Sequence, residues 1–326
     1  MKRLVSGVKP TGQLHIGNYL GAIKQWLDLA DEYDCFFFIA DLHSLTTRPS
    51  PADLRQSTYH ALAMLIALGV DPKAATVFIQ SQIPSHAELA GILGNFTSVG
   101  ALNRMTQYKE KENRHGQNAG LLTYPLLMAA DVLLYRAEVV PVGDDQVQHL
   151  ELAREMVRSF NAHAGNTFIE PKPLLTNAAR IMALNNPTKK MSKSVSGSAI
   201  GLLDDEATIT ASIRQAVTDS DPNSTKMSPG VANLFTILEG FSAPETVKQF
   251  RAKYVDGQLK YSELKEQLIE DILSFLGPVQ KTYQSLIEET GQLDEIVRQG
   301  AKKAALIAGS TIAEAKRALG LVTFDH

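Results

Sequence analysis

The sequence predicts an α/β fold, with an open parallel sheet early in the chain and an all-helical region after it. Three observations predict it. Along the first half, short apolar runs alternate with stretches of helical periodicity. From about Leu202 the strand signals disappear. The run Cys35-Phe36-Phe37-Phe38-Ile39-Ala40 is continuously apolar, as a strand buried on both faces of a parallel sheet requires. With 326 residues, 44% of them hydrophobic, the chain can bury a large core and suggests one large domain with a smaller one.

Leu4-Val5-Ser6-Gly7-Val8 reads as the first strand and Lys9-Pro10-Thr11-Gly12 as a turn. A helix follows from about Ile16, because Ile16, Leu20, Ile23, Leu27 and Ala30 fall on one face. The second strand ends at Asp41-Leu42-His43-Ser44, so His43 lies at a carboxyl edge, where ligands of open α/β sheets bind. A loop-stabilising role and a substrate contact are both open for it. A helix from about Pro51 to Leu68 stops at Gly69 and Asp71-Pro72. Thr76-Val77-Phe78-Ile79-Gln80 and Val139-Val140-Pro141-Val142 are later strands. In the second part, Leu264, Leu268, Ile272 and Leu276 mark one helix and residues 293–319 another. The boundary is expected at the Asn185-Asn186-Pro187 break, with a hinge there.

Composition narrows the classes of function. A net charge of -3 gives no global basic bias, so an anionic macromolecular partner would be met by local patches. Cys35 is the only cysteine, which excludes an intramolecular disulfide and points to a reducing cytoplasm. With no cysteine pairs and no close-spaced histidine pairs, no protein-ligated metal site is expected. Lys2-Arg3 lacks the apolar run of a signal peptide, and the longest apolar run, Ala61 to Leu68, is far too short to span a bilayer.

Two polar motifs stand out. His15, Gly17 and Asn18 sit at a helix start behind the first strand, where free N–H groups and the helix dipole favour a phosphate and Gly17 permits close approach. Gly12 and Gly17 have P-loop spacing, but Asn18-Tyr19 replace the required Lys and Ser/Thr, and no G-x-G-x-x-G occurs. Far downstream, Lys189-Lys190-Met191-Ser192-Lys193-Ser194 places three cations and two hydroxyls on a loop flanked by Ser196-Gly197-Ser198. Such a loop is either a solvated basic segment or a grip for a phosphate chain whose charge grows as a bond breaks.

A third segment, residues 121–135, is strongly apolar apart from Asp131. Treated as a helix, it puts Tyr124, Met128, Asp131 and Tyr135 on one face. An ionised carboxylate there needs a partner. Either Asp131 pairs with Arg136 or another cation, or faces solvent, or it is an acceptor at the floor of an aromatic pocket that takes a substrate donor such as an indole N–H.

Together, His15-Ile16-Gly17-Asn18 and Lys190 to Ser194 resemble the paired signatures of class I aminoacyl-tRNA synthetases. The segment 121–135, Val140 to Gln146, Ser6-Gly7, Arg104-Met105-Thr106-Gln107 and Ala216-Val217-Thr218-Asp219-Ser220 are similar to the tryptophanyl branch of that family. The resemblance runs essentially the full length. It implies a Rossmann-like catalytic domain over residues 1–184 with a dimer-forming insertion near 85–120. A helical anticodon-binding domain with the lysine loop would cover 185–292, and 293–326 would be a C-terminal helix packing back on the catalytic domain. It implies activation of L-tryptophan with ATP and Mg²⁺, transfer to tRNA(Trp), and a homodimer paired through about Thr97 to Gln107.

By the same resemblance, Asp131 holds the indole nitrogen, Met128 and Val142 pack the ring, and Tyr124 and Gln146 hold the α-ammonium. Lys9, Pro10, Thr11, Gly17, Asn18, Gly143, Asp144, Asp145, Ile181 and residues 190–194 surround ATP, with His15, Asn18, Lys190 and Lys193 on the triphosphate. Asp144-Asp145 can also N-cap the helix expected over 146–160. Three positions depart from the common pattern: Lys9 for Gln, Asp144 for Glu, and Val195-Ser196-Gly197 for an acidic turn. The cationic candidates for tRNA phosphates are Arg104, Lys109, Lys111 and Arg114, and Lys302, Lys303, Lys316 and Arg317. A tyrosyl enzyme and a non-catalytic paralogue that binds tryptophan or RNA are the alternatives.

Overall fold

The computed structural model of the chain describes residues 1–10, 12–105, 118–143, 146–175, 180–192, 195, 197–218 and 227–322. Five strands form one sheet among these residues: β1 (Arg3–Val8), β2 (Asp34–Ile39), β3 (Thr76–Ile79), β4 (Val139–Val142) and β5 (Lys172–Leu175). Every pairing is parallel and the order is β3-β2-β1-β4-β5. The fold is thus the Rossmann-like α/β class expected. β1 pairs with β2 on one side and β4 on the other, so the winding reverses there and opens a crevice at the carboxyl ends.

The apolar run of β2 pairs in register with Val5 of β1 and with Phe78 opposite Phe38. Phe36, Phe37 and Phe78 are buried, as an interior parallel strand demands. β5 is an element that the sequence pattern did not reveal. Pro173 within it cannot donate to a ladder, and this is tolerated at the sheet's edge, where one side has no neighbour.

Contacts divide the chain into two units. One comprises Met1–Thr11, Asp28–Thr176 and Glu289–His326, and the other Gly12–Leu27 and Asn177–Glu288. The expected boundary at residues 184 and 185 therefore differs from the division by contacts, which falls after Thr176 and assigns residues 12–27 to the second unit. The helix from Ile16 also departs from its simple periodicity. A π-helical stretch, Tyr19–Ile23, interrupts it before the Lys24–Leu29 helix. The wider turn rotates the buried face, so Tyr19 and Trp26 join Ile16, Leu20 and Ile23 inside, while Leu27 and Ala30 are only partly buried. Within the second unit Tyr19 packs against Phe275 and Phe241, at ring distances of 4.7 and 5.8 Å.

In the first unit the Gly291–Ala318 helix packs on β3. A Cβ on Gly300 would fall inside the van der Waals radius of the Val77 carbonyl, so only glycine permits this approach, whereas a Cβ on Gly309 of the same helix meets nothing. Gly300→Ala is expected to destabilise the protein by about 2–3 kcal/mol, the scale of overpacking. Gly309→Ala is expected to stabilise it by about 0.5–1 kcal/mol through helix propensity. Urea unfolding of the two variants reads both signs.

Candidate active site

A cavity of about 380 Å³ opens at the carboxyl edge of the sheet in the first unit. Val5, Gly7 and Lys9 reach it from β1 and the turn after it, Phe38 from β2 and Ala40 from just after it, and Val140 and Val142 from β4. His43 and Thr46 come from the segment after β2, and Tyr124, Met128 and Asp131 from the Ala119–Leu133 helix. Gln146 completes the polar lining. Asn118 starts that helix by accepting the Leu121 N–H at 2.8 Å, and this fixes where the face carrying Tyr124, Met128 and Asp131 begins.

Asp131 is 2% exposed and heavily bonded. Its Oδ1 accepts from Gln80 Nε2 at 2.7 Å and from His86 Nδ1 at 2.6 Å, and its Oδ2 from His43 Nε2 at 2.8 Å. The pairing with Arg136 considered from the sequence does not form: that guanidinium pairs with Glu314 of the last helix. Nor is the carboxylate empty of partners, since three side chains, two from just after strands and one from the Ser85–Leu93 helix, already hold it. Burial alone would raise its pKa. The imidazoles of His43 and, to a lesser degree, His86 outweigh burial through charge and hydrogen bonding and hold the carboxyl below its ordinary value.

Tyr135, placed by the helical pattern on the same face as Tyr124, Met128 and Asp131, does not line the cavity. The helix ends at Leu133, and Tyr135 lies fully buried, stacked on Phe36 and 2.8 Å from His86 Nε2. Tyr124 bonds His149 Nε2 through its hydroxyl, and burial raises its pKa, so it stays a neutral phenol. His86, Gln80 and His149 carried no sequence signal: each is a single polar residue in a segment of ordinary pattern.

The second unit holds the other residues singled out by the sequence. Leu14 to Ile16 pairs with Ile200 to Leu202, through a bridge between His15 and Gly201, Ile16 N–H to Ile200 O at 3.0 Å and Leu202 N–H to Leu14 O at 3.0 Å. The His15 N–H donates to Asn18 Oδ1 at 3.0 Å, so Asn18 closes its own turn with its carbonyl oxygen. A Cβ on Gly17 would sit 2.9 Å from the His15 ring and 3.5 Å from Met191 Sδ, so the two signature segments adjoin.

Lys190 is not in a structureless loop. Met182 and Lys190 form an antiparallel bridge, with Ala183 N–H to Lys189 O at 2.8 Å and Met191 N–H to Ile181 O at 3.1 Å. Asn233, a polar residue inside the Pro229–Phe241 helix, clamps the Met182 peptide with both ends of its amide, at 2.8 and 2.9 Å. Lys189 and Lys190 are exposed, whereas Ile181 and Met191 are buried, so Met191 anchors the segment from inside. Ser192 N–H donates to Ser198 Oγ at 3.3 Å.

Of the positions expected around ATP, Lys9 lines the cavity, Pro10 is buried and Gly143 is exposed in the first unit, and Gly17, Asn18, Ile181 and Lys190 to Ser192 belong to the second. Thr11, Asp144, Asp145, Lys193, Ser194, Thr106, Gln107, Asp219 and Ser220 lie outside the described residues, as do Lys109, Lys111 and Arg114. Among the cationic candidates, Lys303 pairs with Asp34 and Lys316 with Glu88, while Arg104, Lys302 and Arg317 are exposed.

Residues 1–277 match the family model described as tRNA synthetases class I (W and Y). The chain belongs to this family. It is 44% identical to the tryptophan–tRNA ligase of Caldanaerobacter subterraneus subsp. tengcongensis over the whole of both chains. It is 43% identical to that of Clostridium tetani, covering 98% of this chain and 96% of the relative. The crystal structure of tryptophanyl-tRNA synthetase from Campylobacter jejuni complexed with ADP and tryptophan superposes with a TM-score of 0.86 at 34% identity, covering 98% of this chain and all of that one.

The depressed pKa of Asp131 has a stability consequence with a definite sign. Its carboxylate is favoured in the folded state, so the network contributes stability at neutral pH. That contribution is retained down to the unfolded carboxyl value near 3.9 and lost as pH falls on through the folded value. Asp131→Asn is expected to cost on the order of 3 kcal/mol at pH 7. Urea unfolding between pH 7 and 3 should show the gap to wild type persisting to about pH 4 and narrowing below it.

Proposed function

We infer that the chain is a tryptophan–tRNA ligase whose amino-acid site is the cavity floored by Asp131. The observation that carries the reading is that carboxylate: an ionised acceptor, bonded on both oxygens, at the wall of an apolar cavity. A carboxylate has about four acceptor sites, and three are taken, so one remains for a substrate N–H. Met128 and Val142 pack the indole. Tyr124, hydrogen-bonded to His149 Nε2 through its hydroxyl, keeps a phenol lone pair for the α-ammonium, with Gln146 as second holder.

The tryptophan carboxylate attacks the α-phosphorus of ATP in line, expels pyrophosphate and forms tryptophanyl-adenylate. A ribose hydroxyl of the terminal adenosine of tRNA(Trp) then takes the acyl group. No general base is required in the first step, because the attacking carboxylate is already ionised. Catalysis is positioning plus stabilisation of phosphate charge. His15, Asn18, Lys190 and Lys193 supply that charge stabilisation, and Lys9, Pro10, Thr11, Gly17, Gly143, Asp144, Asp145, Ile181, Met191, Ser192 and Ser194 complete the ATP contacts.

Among the described residues no group of three or more His, Cys, Asp or Glu is placed to hold a metal ion. A magnesium ion carried in on the ATP phosphates would share their charge and would not require a protein cage. No helix among the described residues is long and apolar enough to cross a membrane. We assign the reading of the tRNA to the helices within residues 185–292, and the location to the cytoplasm. A homodimer forms through the Thr97–Gln107 stretch, where Val99, 63% exposed, supplies apolar surface to cover.

ATP–pyrophosphate exchange should require tryptophan and reject phenylalanine, which leaves the acceptor unpaired, by about 10⁴-fold or more. Comparable exchange with tyrosine would overturn the assignment. Lys193→Ala, and to a lesser extent Lys190→Ala, should lower exchange by on the order of 10²- to 10³-fold. Tryptophan binding without ATP, measured by calorimetry, should stay the same in both.

A further inference from the structure

We propose that His86 and Tyr135, neither of which lines the cavity, are positioning residues that set the specificity of the tryptophan site by fixing which lone pair of Asp131 faces the substrate. The proposal rests on the reading of Asp131 as the indole N–H acceptor. Hydrogen-bond counting carries it. Gln80 Nε2 and His86 Nδ1 together fill Oδ1, at 2.7 and 2.6 Å. His43 Nε2 takes one site on Oδ2, at 2.8 Å, so the single remaining acceptor site is on Oδ2.

That count holds only while His86 donates from Nδ1. A neutral imidazole that carries its proton there presents a bare Nε2, and the Tyr135 hydroxyl, 2.8 Å away, is the donor that fills it. The opposite tautomer would set an Nδ1 lone pair against a carboxylate oxygen at 2.6 Å, a repulsive contact. The carboxylate, which only accepts, puts the proton on Nδ1, Tyr135 satisfies the Nε2 that this leaves bare, and the tautomer held between them orients the carboxylate. Both rings are held by packing as well as by hydrogen bonds. Tyr135 stacks on Phe36 at 5.1 Å, and His86 lies 6.0 and 6.1 Å from the rings of Phe38 and Phe78. Both residues are 0% exposed, so neither has room to turn, and no water is needed to complete the chain of donors.

Loss of this relay leaves the reading group in place and removes its alignment. The loss should therefore fall on substrates that carry the N–H and spare one of equal shape that lacks it. The test compares kcat/KM for ATP–pyrophosphate exchange with L-tryptophan and with β-(3-benzothienyl)-L-alanine, in which sulfur replaces the indole N–H. Wild type should prefer tryptophan by about 10²-fold or more. Tyr135→Phe, which keeps the ring and its packing, and His86→Leu should each lower that preference by about 10-fold.

His86→Asn, whose amide can donate from the position of Nδ1, should retain most of the preference. Thermal unfolding identifies the folded variants, and Tyr135→Phe carries the test if His86→Leu does not fold. An equal fall in both substrates, with the ratio unchanged, would mean a structural role only and overturn the proposal. So would an Asn variant as unselective as the Leu variant. If Asp131→Ala abolishes the preference while the His86 and Tyr135 variants keep it, the positioning role falls and the tryptophan site stands. If wild type itself shows no preference for the N–H, the reading of Asp131 fails and the proposal fails with it.

Discussion

A carboxylate buried almost completely at the end of a parallel sheet is the constraint on which the rest of the site depends. Isolated, it would be too costly to keep ionised. It is kept by donors from three separate stretches of chain: His43 just after β2, Gln80 at the end of β3, and His86 on the next helix. Each donor can reach Asp131 only if β2 and β3 pair in their observed register and the Ala119–Leu133 helix crosses their carboxyl ends. The polar network and the sheet topology are thus one requirement seen twice. A shift of register by one residue would turn the side chains of that strand to the other face.

The second unit satisfies a different need, which is to present cations without burying them. Lys189 and Lys190 remain in water while the peptide that carries them is fixed by the Met182 bridge and the Asn233 clamp. The first signature is pinned to the same framework through Ile200 and Leu202. Lysines on a rigid stem give up less freedom on meeting a phosphate chain than lysines on a slack loop.

Much of this was legible in the sequence, and the physical reasons are specific. β2 was visible because a strand covered on both faces must be apolar throughout, and Asp131 because one charge in an apolar helix has few explanations. The lysine and His15 segments stood out by residue type. Long-range pairings were not legible. His86 lies 45 residues from Asp131 in sequence, and no periodicity links them. Asn233 looks like any polar residue of a helix until its amide is seen on the Met182 peptide. β5 was hidden by Pro173, a strand breaker everywhere except at an edge. The π-helical turn at Tyr19–Ile23 was invisible because a count at steps of three and four assumes an unbroken α-helix.

The close seat of the last helix on β3 bears on how the chain is made. The sheet unit draws its cover from residues after 288, so most of the polypeptide must leave the ribosome before Val77 and its neighbours are shielded. Contacts of such large sequence separation close a long loop and form late. Until then the newly made β3 offers an uncovered apolar surface of the kind that aggregates or is held by chaperones. Residues 177–288, together with the early stretch 12–27, are complete before that helix is synthesised. Vectorial synthesis therefore finishes residues 177–288 before the helix that covers β3, and leaves the sheet to be sealed by a segment made after them.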